Sequence, residues 1–109
     1  MPEFNDFDVE IQDERDSIPE HFNAAVITAG SPVTITPTSA KDITKALIVN
    51  PSKGPNANGI NDVLLVSIDG TTNYLSLARG ESISFPGYFP NIKIDATVDG
   101  TYYEVVVYS

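Results

Sequence analysis

Residues 63–77, Val63-Leu64-Leu65-Val66-Ser67-Ile68-Asp69-Gly70-Thr71-Thr72-Asn73-Tyr74-Leu75-Ser76-Leu77, decide the fold class of this 109-residue chain. Apolar residues occupy nearly every position from 63 to 68, which marks a central strand covered on both faces. Asp69-Gly70 follows, and Asp-Gly between two apolar runs is the strongest short-range hairpin signal, because a type I′ turn needs positive φ at both central residues. Residues 74–77 are therefore expected to return antiparallel to the first run.

The rest of the body repeats this idiom. Downstream, Arg79-Gly80 turns into Ile83 and Phe85 alternating with serines, and Pro86-Gly87-Tyr88-Phe89-Pro90 is expected to break the chain. Ile92, Ile94, Ala96 and Val98 then share one face, with Lys93, Asp95, Thr97 and Asp99 on the other. A second Asp-Gly, Asp99-Gly100, is expected to join this strand as a hairpin to a last one, where Tyr103, Val105 and Val107 alternate with Tyr102, Glu104, Val106 and Tyr108. Both faces of that final strand are largely apolar. Upstream, 24–28, 31–37 and 45–50 read as short strands, with Pro32 and Pro37 suiting an edge position for the second. Residues 51–62, rich in Pro, Gly and Asn, read as an exposed loop.

About eight short strands and no convincing helix give an all-β fold, an antiparallel β-sandwich or small barrel, with the sandwich taken as jelly-roll or immunoglobulin-like in order. The sequence divides into an acidic N-terminal arm, 1–23, and the β-sandwich domain, 24–109. The arm holds Glu3, Asp6, Asp8, Glu10, Asp13, Glu14, Asp16 and Glu20 against Arg15 alone, so it carries −7 of the chain's −9. Its apolar residues, Phe4, Phe7, Val9, Ile11, Ile18 and Phe22, have no sustained period. Such a segment cannot bury enough apolar surface alone to offset the entropy of ordering it, so the arm is expected to order against a partner.

Composition removes several function classes. Without cysteine there is no disulfide scaffold and no thiolate-bound metal. No basic leader precedes an apolar run and no stretch reaches the roughly 20 apolar residues of a membrane span, so neither a signal peptide nor an anchor is expected. Six dispersed bases and a strong negative balance argue against nucleic acid and favour a basic protein surface as the partner of the arm. The glycines fall in separate turns with no phosphate-binding spacing, so no cofactor is expected. His21 is the only histidine and lies in the arm, which leaves no His-based catalytic site, and the chain is expected not to be an enzyme. Asp69, Asp95 and Asp99 could approach one another near hairpin ends, but turn chemistry and a polar strand face already account for them, and no metal site is assigned. Tyr74, Tyr88, Phe89, Tyr102 and Tyr108 are the residues a sugar-stacking platform would use.

The stretches Ala46-Leu47-Ile48-Val49-Asn50-Pro51-Ser52, Asp62-Val63-Leu64-Leu65-Val66-Ser67-Ile68-Asp69-Gly70, Tyr74-Leu75-Ser76-Leu77 and Arg79-Gly80-Glu81-Ser82-Ile83-Ser84-Phe85 resemble small virion structural proteins of tailed bacteriophages. The resemblance spans 47–109 and leaves the arm unmatched. It implies a non-enzymatic virion protein, assembled in the host cytoplasm, that binds and stabilises a phage capsid in a decoration or cement role. Its partners would be the major capsid protein or other virion proteins, with homo-oligomerisation, a trimer among the forms considered. A neck, tail or fibre component, or a carbohydrate- or receptor-binding module, is the alternative. On this reading Phe4, Phe7, Val9 and Ile11 anchor the arm to neighbouring subunits while Asp6, Asp8, Asp13 and Glu14 pair with bases of the partner. Tyr102, Val106 and Tyr108, apolar surface that a solvated strand does not need, are the expected subunit contact.

Overall fold

The computed structural model describes residues 18–109. Eight strands, β1 (Pro19–Val26), β2 (Val33–Ile35), β3 (Ile43–Val49), β4 (Leu64–Ser67), β5 (Leu75–Leu77), β6 (Ser82–Phe89), β7 (Ile92–Ala96) and β8 (Thr101–Tyr108), form two four-stranded antiparallel sheets. One runs β1-β8-β3-β6 and the other β2-β7-β4-β5. The first strand pairs with the last, the second with the seventh, the third with the sixth and the fourth with the fifth. This is a long antiparallel ribbon, with β4 and β5 paired at its tip, rolled so that successive strands elsewhere fall in different sheets. The topology is a jelly roll, which settles the choice that the sequence left open.

The inward faces interdigitate as an aligned sandwich requires. Val26, Tyr103, Val105, Val107, Ala46, Ile48, Ile43 and Phe89 come from the first sheet, and Ile35, Ile92, Ile94, Ala96, Leu64, Val66 and Leu77 from the second. Phe22, Ile83 and Phe85 close the rim. Desolvation in this layer pushes the Tyr103 phenol above its ordinary pKa.

Several sequence expectations hold and several change. β4 and β5 pair antiparallel as expected, but seven residues, 68–74, connect them instead of a two-residue turn. The Asp69 Oδ1 organises this loop by accepting from Thr71 Oγ1 at 2.7 Å, Ser67 Oγ at 2.9 Å and Thr71 N at 3.0 Å, with Gly70 at φ 75°. Asp99-Gly100 does reverse the chain, yet β7 and β8 lie in different sheets and form no hairpin. Asp99 Oδ1 is engaged by Ala29 N at 2.7 Å, and Gly100 N donates to the Val26 carbonyl at 2.7 Å, so the turn bonds sideways to the β1–β2 connection. A turn signal specifies a reversal of direction and leaves the pairing partner to the sheets.

The expected break at Pro86-Gly87 is also absent, because β6 runs on to Phe89. It is an edge strand, where proline costs no ladder bond, and the extra residue is taken up as a bulge between the Lys45↔Pro86 and Ile43↔Phe89 pairs. β2, bracketed by Pro32 and Pro37, is the edge strand that the prolines suggested. β1 begins at Pro19, inside the stretch read as the arm, so 19–23 pair with β8 along with 24–26. Glu20 helps to hold this start by accepting from Thr38 N and Thr38 Oγ1 at 2.8 and 2.6 Å.

Asn50 and Asn58 are the buried polar centre of one end of the roll. Asn50 Nδ2 donates to the Asp62 and Leu77 carbonyls, both at 2.8 Å, and its Oδ1 accepts from Asn58 Nδ2 at 2.7 Å. Its backbone amide donates to Glu81 O and its carbonyl accepts from Gly80 N. Asn58 also brackets Tyr102, donating to its carbonyl and accepting from its amide, both at 2.8 Å. Two side chains thus tie the 50–63 connection to the 78–81 turn and to the start of β8. Asn50→Ala would leave the Asp62 and Leu77 carbonyls and the Asn58 amide short of partners, and it should lower stability by about 3 kcal/mol. Urea unfolding followed by circular dichroism measures this, and a loss no larger than that of an exposed substitution such as Thr72→Ala would refute it.

Candidate interaction surfaces

The two outer faces of the sandwich differ in chemistry. On the β1-β8-β3-β6 sheet, the residues of β8 that alternate with buried Tyr103, Val105 and Val107 are Tyr102, Glu104, Val106 and Tyr108. The register sets Leu47 and His21 on either side of Val106, Val49 and Asn23 beside Glu104, and Lys45 and Pro19 beside Tyr108. Ala25 lies beside Tyr102, and β6 adds Ser82, Ser84 and Pro86 at the far edge. Lys45 Nζ lies 5.8 Å from the centroid of the Tyr108 ring, a cation–π contact that leaves the lysine stem along the face. The centre of this sheet therefore presents Leu47, Val106, Tyr102 and Tyr108 outward, with His21, Lys45 and Glu104 around them.

The β2-β7-β4-β5 sheet turns Thr34, Lys93, Asp95, Leu65, Ser67 and Ser76 away from the core, a face with one apolar member, on which Ser67 and Asp95 are themselves buried. Asp95 is held there by the Gly30 amide, which donates to its Oδ1 at 2.9 Å. Polar side chains and a loop cover this side, whereas only its own neighbours shield the first.

The expected contact residues Tyr102, Val106 and Tyr108 fall on one face of one strand, as their alternation implied. The arm anchors Phe4, Phe7, Val9 and Ile11 and the acids Asp6, Asp8, Asp13 and Glu14 lie outside the described residues. His21, read as part of the arm, sits in β1 opposite Val106. The three aspartates do not converge. Asp95 and Asp99 both clasp the 29–30 turn, while Asp69 lies at the opposite end of the roll in its own hydroxyl-lined loop. Among the described residues no group of three or more His, Cys, Asp or Glu side chains could hold a metal ion. The aromatic set is divided as well, since Tyr88 is exposed and its neighbour Phe89 is buried. Among the described residues no helix is long and apolar enough to cross a membrane.

Sequence reasoning missed Asn50 and Asn58, whose roles are structural. Asn58 sits in a Pro/Gly/Asn-rich stretch where asparagine reads as a turn former, and only the return of β8 past the loop turns it into a buried staple.

No family model and no curated protein matches this chain, so neither ties it to phage virion proteins. Among solved structures, one similar chain comes from work titled "Bacillus endospore appendages form a novel family of disulfide-linked pili". It is 17% identical, with 85% of this chain and 88% of that chain covered and a TM-score of 0.48. The 109 residues here contain no cysteine with which to form a disulfide link.

The Asp69 environment generates a direct test of the local geometry. The Thr71 hydroxyl first, then the Thr71 amide and the Ser67 hydroxyl, favour the charged carboxylate and hold Asp69 below its ordinary pKa. Because the folded-state value is the lower one, the contribution to stability is present above the unfolded-state pKa and is lost as pH falls through the folded-state value. Carboxyl chemical shifts followed through an acid titration should place Asp69 below an unperturbed aspartate, and Thr71→Val should move it upward. An unchanged midpoint in the variant would show that the loop is organised otherwise.

Proposed function

We propose that this chain is a non-enzymatic structural subunit that packs against neighbouring copies through the outer face of the β1-β8-β3-β6 sheet. The observation that carries this reading is the contrast between that apolar face, with Leu47, Val106, Tyr102 and Tyr108 at its centre, and the polar outer face of the opposite sheet. Apolar side chains gathered on one outer face, here interrupted by Glu104 between Tyr102 and Val106, favour an interaction surface, and at 109 residues the high surface-to-volume ratio adds a stability advantage to assembly. The rigid roll, with its loops stapled at the Asn50 end, is suited to repetition in a lattice or polymer.

The finer form of this reading follows from the resemblance of 47–109 to tailed-phage virion proteins. On it, the assembly is a phage head and the chain is a decoration subunit located in the virion, in contact with the major capsid protein. This assignment stands on the sequence resemblance and on the suitability of a jelly roll for capsid surfaces. Immunogold labelling for this chain tests it: label over phage heads supports the assignment, and label along a non-viral polymer overturns it.

The contact itself is tested in solution. Val106→Lys places a charge at the middle of the face without touching the core, and it should weaken self-association of the full chain at least about tenfold, equivalent to 1.4 kcal/mol. Ser76→Lys, on the outer face of the edge strand of the other sheet, should leave association unchanged. Sedimentation equilibrium measures both, and a Val106→Lys chain that associates as tightly as the native one would remove the sheet face from consideration.

A further inference from the structure

Each sheet of a sandwich ends in two edge strands, whose outer N–H and C=O groups have no ladder partner. Here the edges are β1 and β6 in one sheet and β2 and β5 in the other. Three of them are blunted. β2 and β5 are three residues long, and β2 is bracketed by Pro32 and Pro37. β6 carries Pro86 and a bulge. β1 is eight residues long, has proline only at its first position, holds no lysine or arginine and pairs with β8 in unbroken register.

That register fixes which groups of β1 are offered to a partner. Ile18 N donates to Ser109 O and the pairing runs on without a shift, so the amides and carbonyls of Glu20, Phe22, Ala24 and Val26 face β8. Those of His21, Asn23 and Ala25 point away from the sheet, and among the described residues no turn or loop backbone bond reaches them. The side chains of this edge are incompletely covered as well. Phe22 and Ala24 lie beside buried Val105 and Tyr103 on the inward side of the sheet, yet Phe22 is half-buried and Ala24 is exposed. An inward alanine that stays exposed leaves room for a side chain from outside.

A second copy of the same strand supplies that side chain. When β1 pairs antiparallel with β1 about a two-fold axis at Asn23, His21 faces Ala25 of the second copy, Asn23 faces Asn23, and Phe22 faces Ala24. The pairs involving His21, Asn23 and Ala25 are of the hydrogen-bonded kind and use the free groups. Phe22 and Ala24 form non-hydrogen-bonded pairs, in which side chains approach more closely. Large meets small twice, by symmetry. No like charges face each other, since Glu20 falls opposite Val26 and its carboxylate already accepts from Thr38. A strand of another sequence could use the same amides; the equal spacing of Phe22 and Ala24 about Asn23 singles out the second copy.

We propose that two copies join their β1-β8-β3-β6 sheets through β1, about a two-fold axis at Asn23, into one continuous sheet. The contact is isologous and closes at two copies. It uses the strand edge and leaves the outer face open, so it goes beyond the sheet-face contact and does not depend on it. Because the axis is perpendicular to the sheet, the outward Leu47, Val106 and Tyr102 of both copies stand on the same side.

Cysteine placement in the full chain tests the register, against a background free of thiols. Asn23→Cys puts two thiols on facing residues, within the roughly 4.4–6.8 Å Cα separation that a disulfide spans. Two thiols at Ala25→Cys would stand about 13 Å apart along the strands. In oxidised glutathione, Asn23→Cys should form a covalent dimer at least about tenfold faster than Ala25→Cys. Asn23→Pro removes the amide at the axis without taking a bond from β8. In a Val106→Lys chain, whose sheet face is disabled, it should weaken dimerisation at least about tenfold in sedimentation equilibrium; if that variant fails to fold, the cross-linking decides. Equal cross-linking at both positions, or none at either, overturns the edge contact. A native chain that associates and becomes monomeric with Val106→Lys alone also overturns it and leaves the sheet face standing. Association that resists Val106→Lys and falls with Asn23→Pro supports the edge and removes the sheet face. A monomer whose His21, Asn23 and Ala25 amides are protected from hydrogen exchange would identify the chain's own arm as the occupant, and it too overturns the contact.

Discussion

Asn50 is the point on which one end of this fold depends. The jelly roll sends most of its connections from one sheet to the other, and such crossings have no ladder of backbone bonds to hold them. At the Asn50 end that role passes to a single buried amide, which uses both donors and its acceptor on two carbonyls and Asn58, while its backbone bonds the 80–81 turn. Among the described residues no buried side-chain polar atom lacks a partner, which is the condition under which a polar centre stabilises instead of costing free energy.

The staple has consequences beyond stability. By fixing the long 50–63 connection it frees the loop tips from packing duty, so that Ile60 stands outward on a rigid base. By bracketing Tyr102 it also sets where β8 begins, and hence which of its residues face out. Tyr102, Val106 and Tyr108 project from the sandwich because Tyr103, Val105 and Val107 are committed to the core.

Much of the architecture was legible in local pattern. Strict alternation in Ile92 to Ala96 and Tyr103 to Val107 named the core residues of β7 and β8, and Pro32 and Pro37 identified an edge, because side-chain period and the missing proline N–H are properties of the chain itself. Less legible was the start of β1: Glu20, His21 and Asn23 dilute the apolar signal of Phe22, and the strand exists because β8 is there to pair with it. Pro86-Gly87 likewise read as a break, since only the edge position and a bulge against β3 make the pair compatible with a strand.

What the amino-acid order determined by itself is the all-β class, the inward residues of β7 and β8, the chain reversals at Asp69-Gly70 and Asp99-Gly100, and the concentration of charge before Ile18, whereas Val98, which shares the pattern of Ile92 to Ala96, stands exposed. These follow from dihedral preference, period and composition, which act between near neighbours. Tertiary structure alone decided that the strands roll into a jelly roll, that Asp99-Gly100 crosses between sheets, that Asp69 lies apart from Asp95 and Asp99, and that Asn58 meets both Asn50 and Tyr102. Those outcomes join residues dozens of positions apart, and their free energy is realised only when both sheets close over a common core.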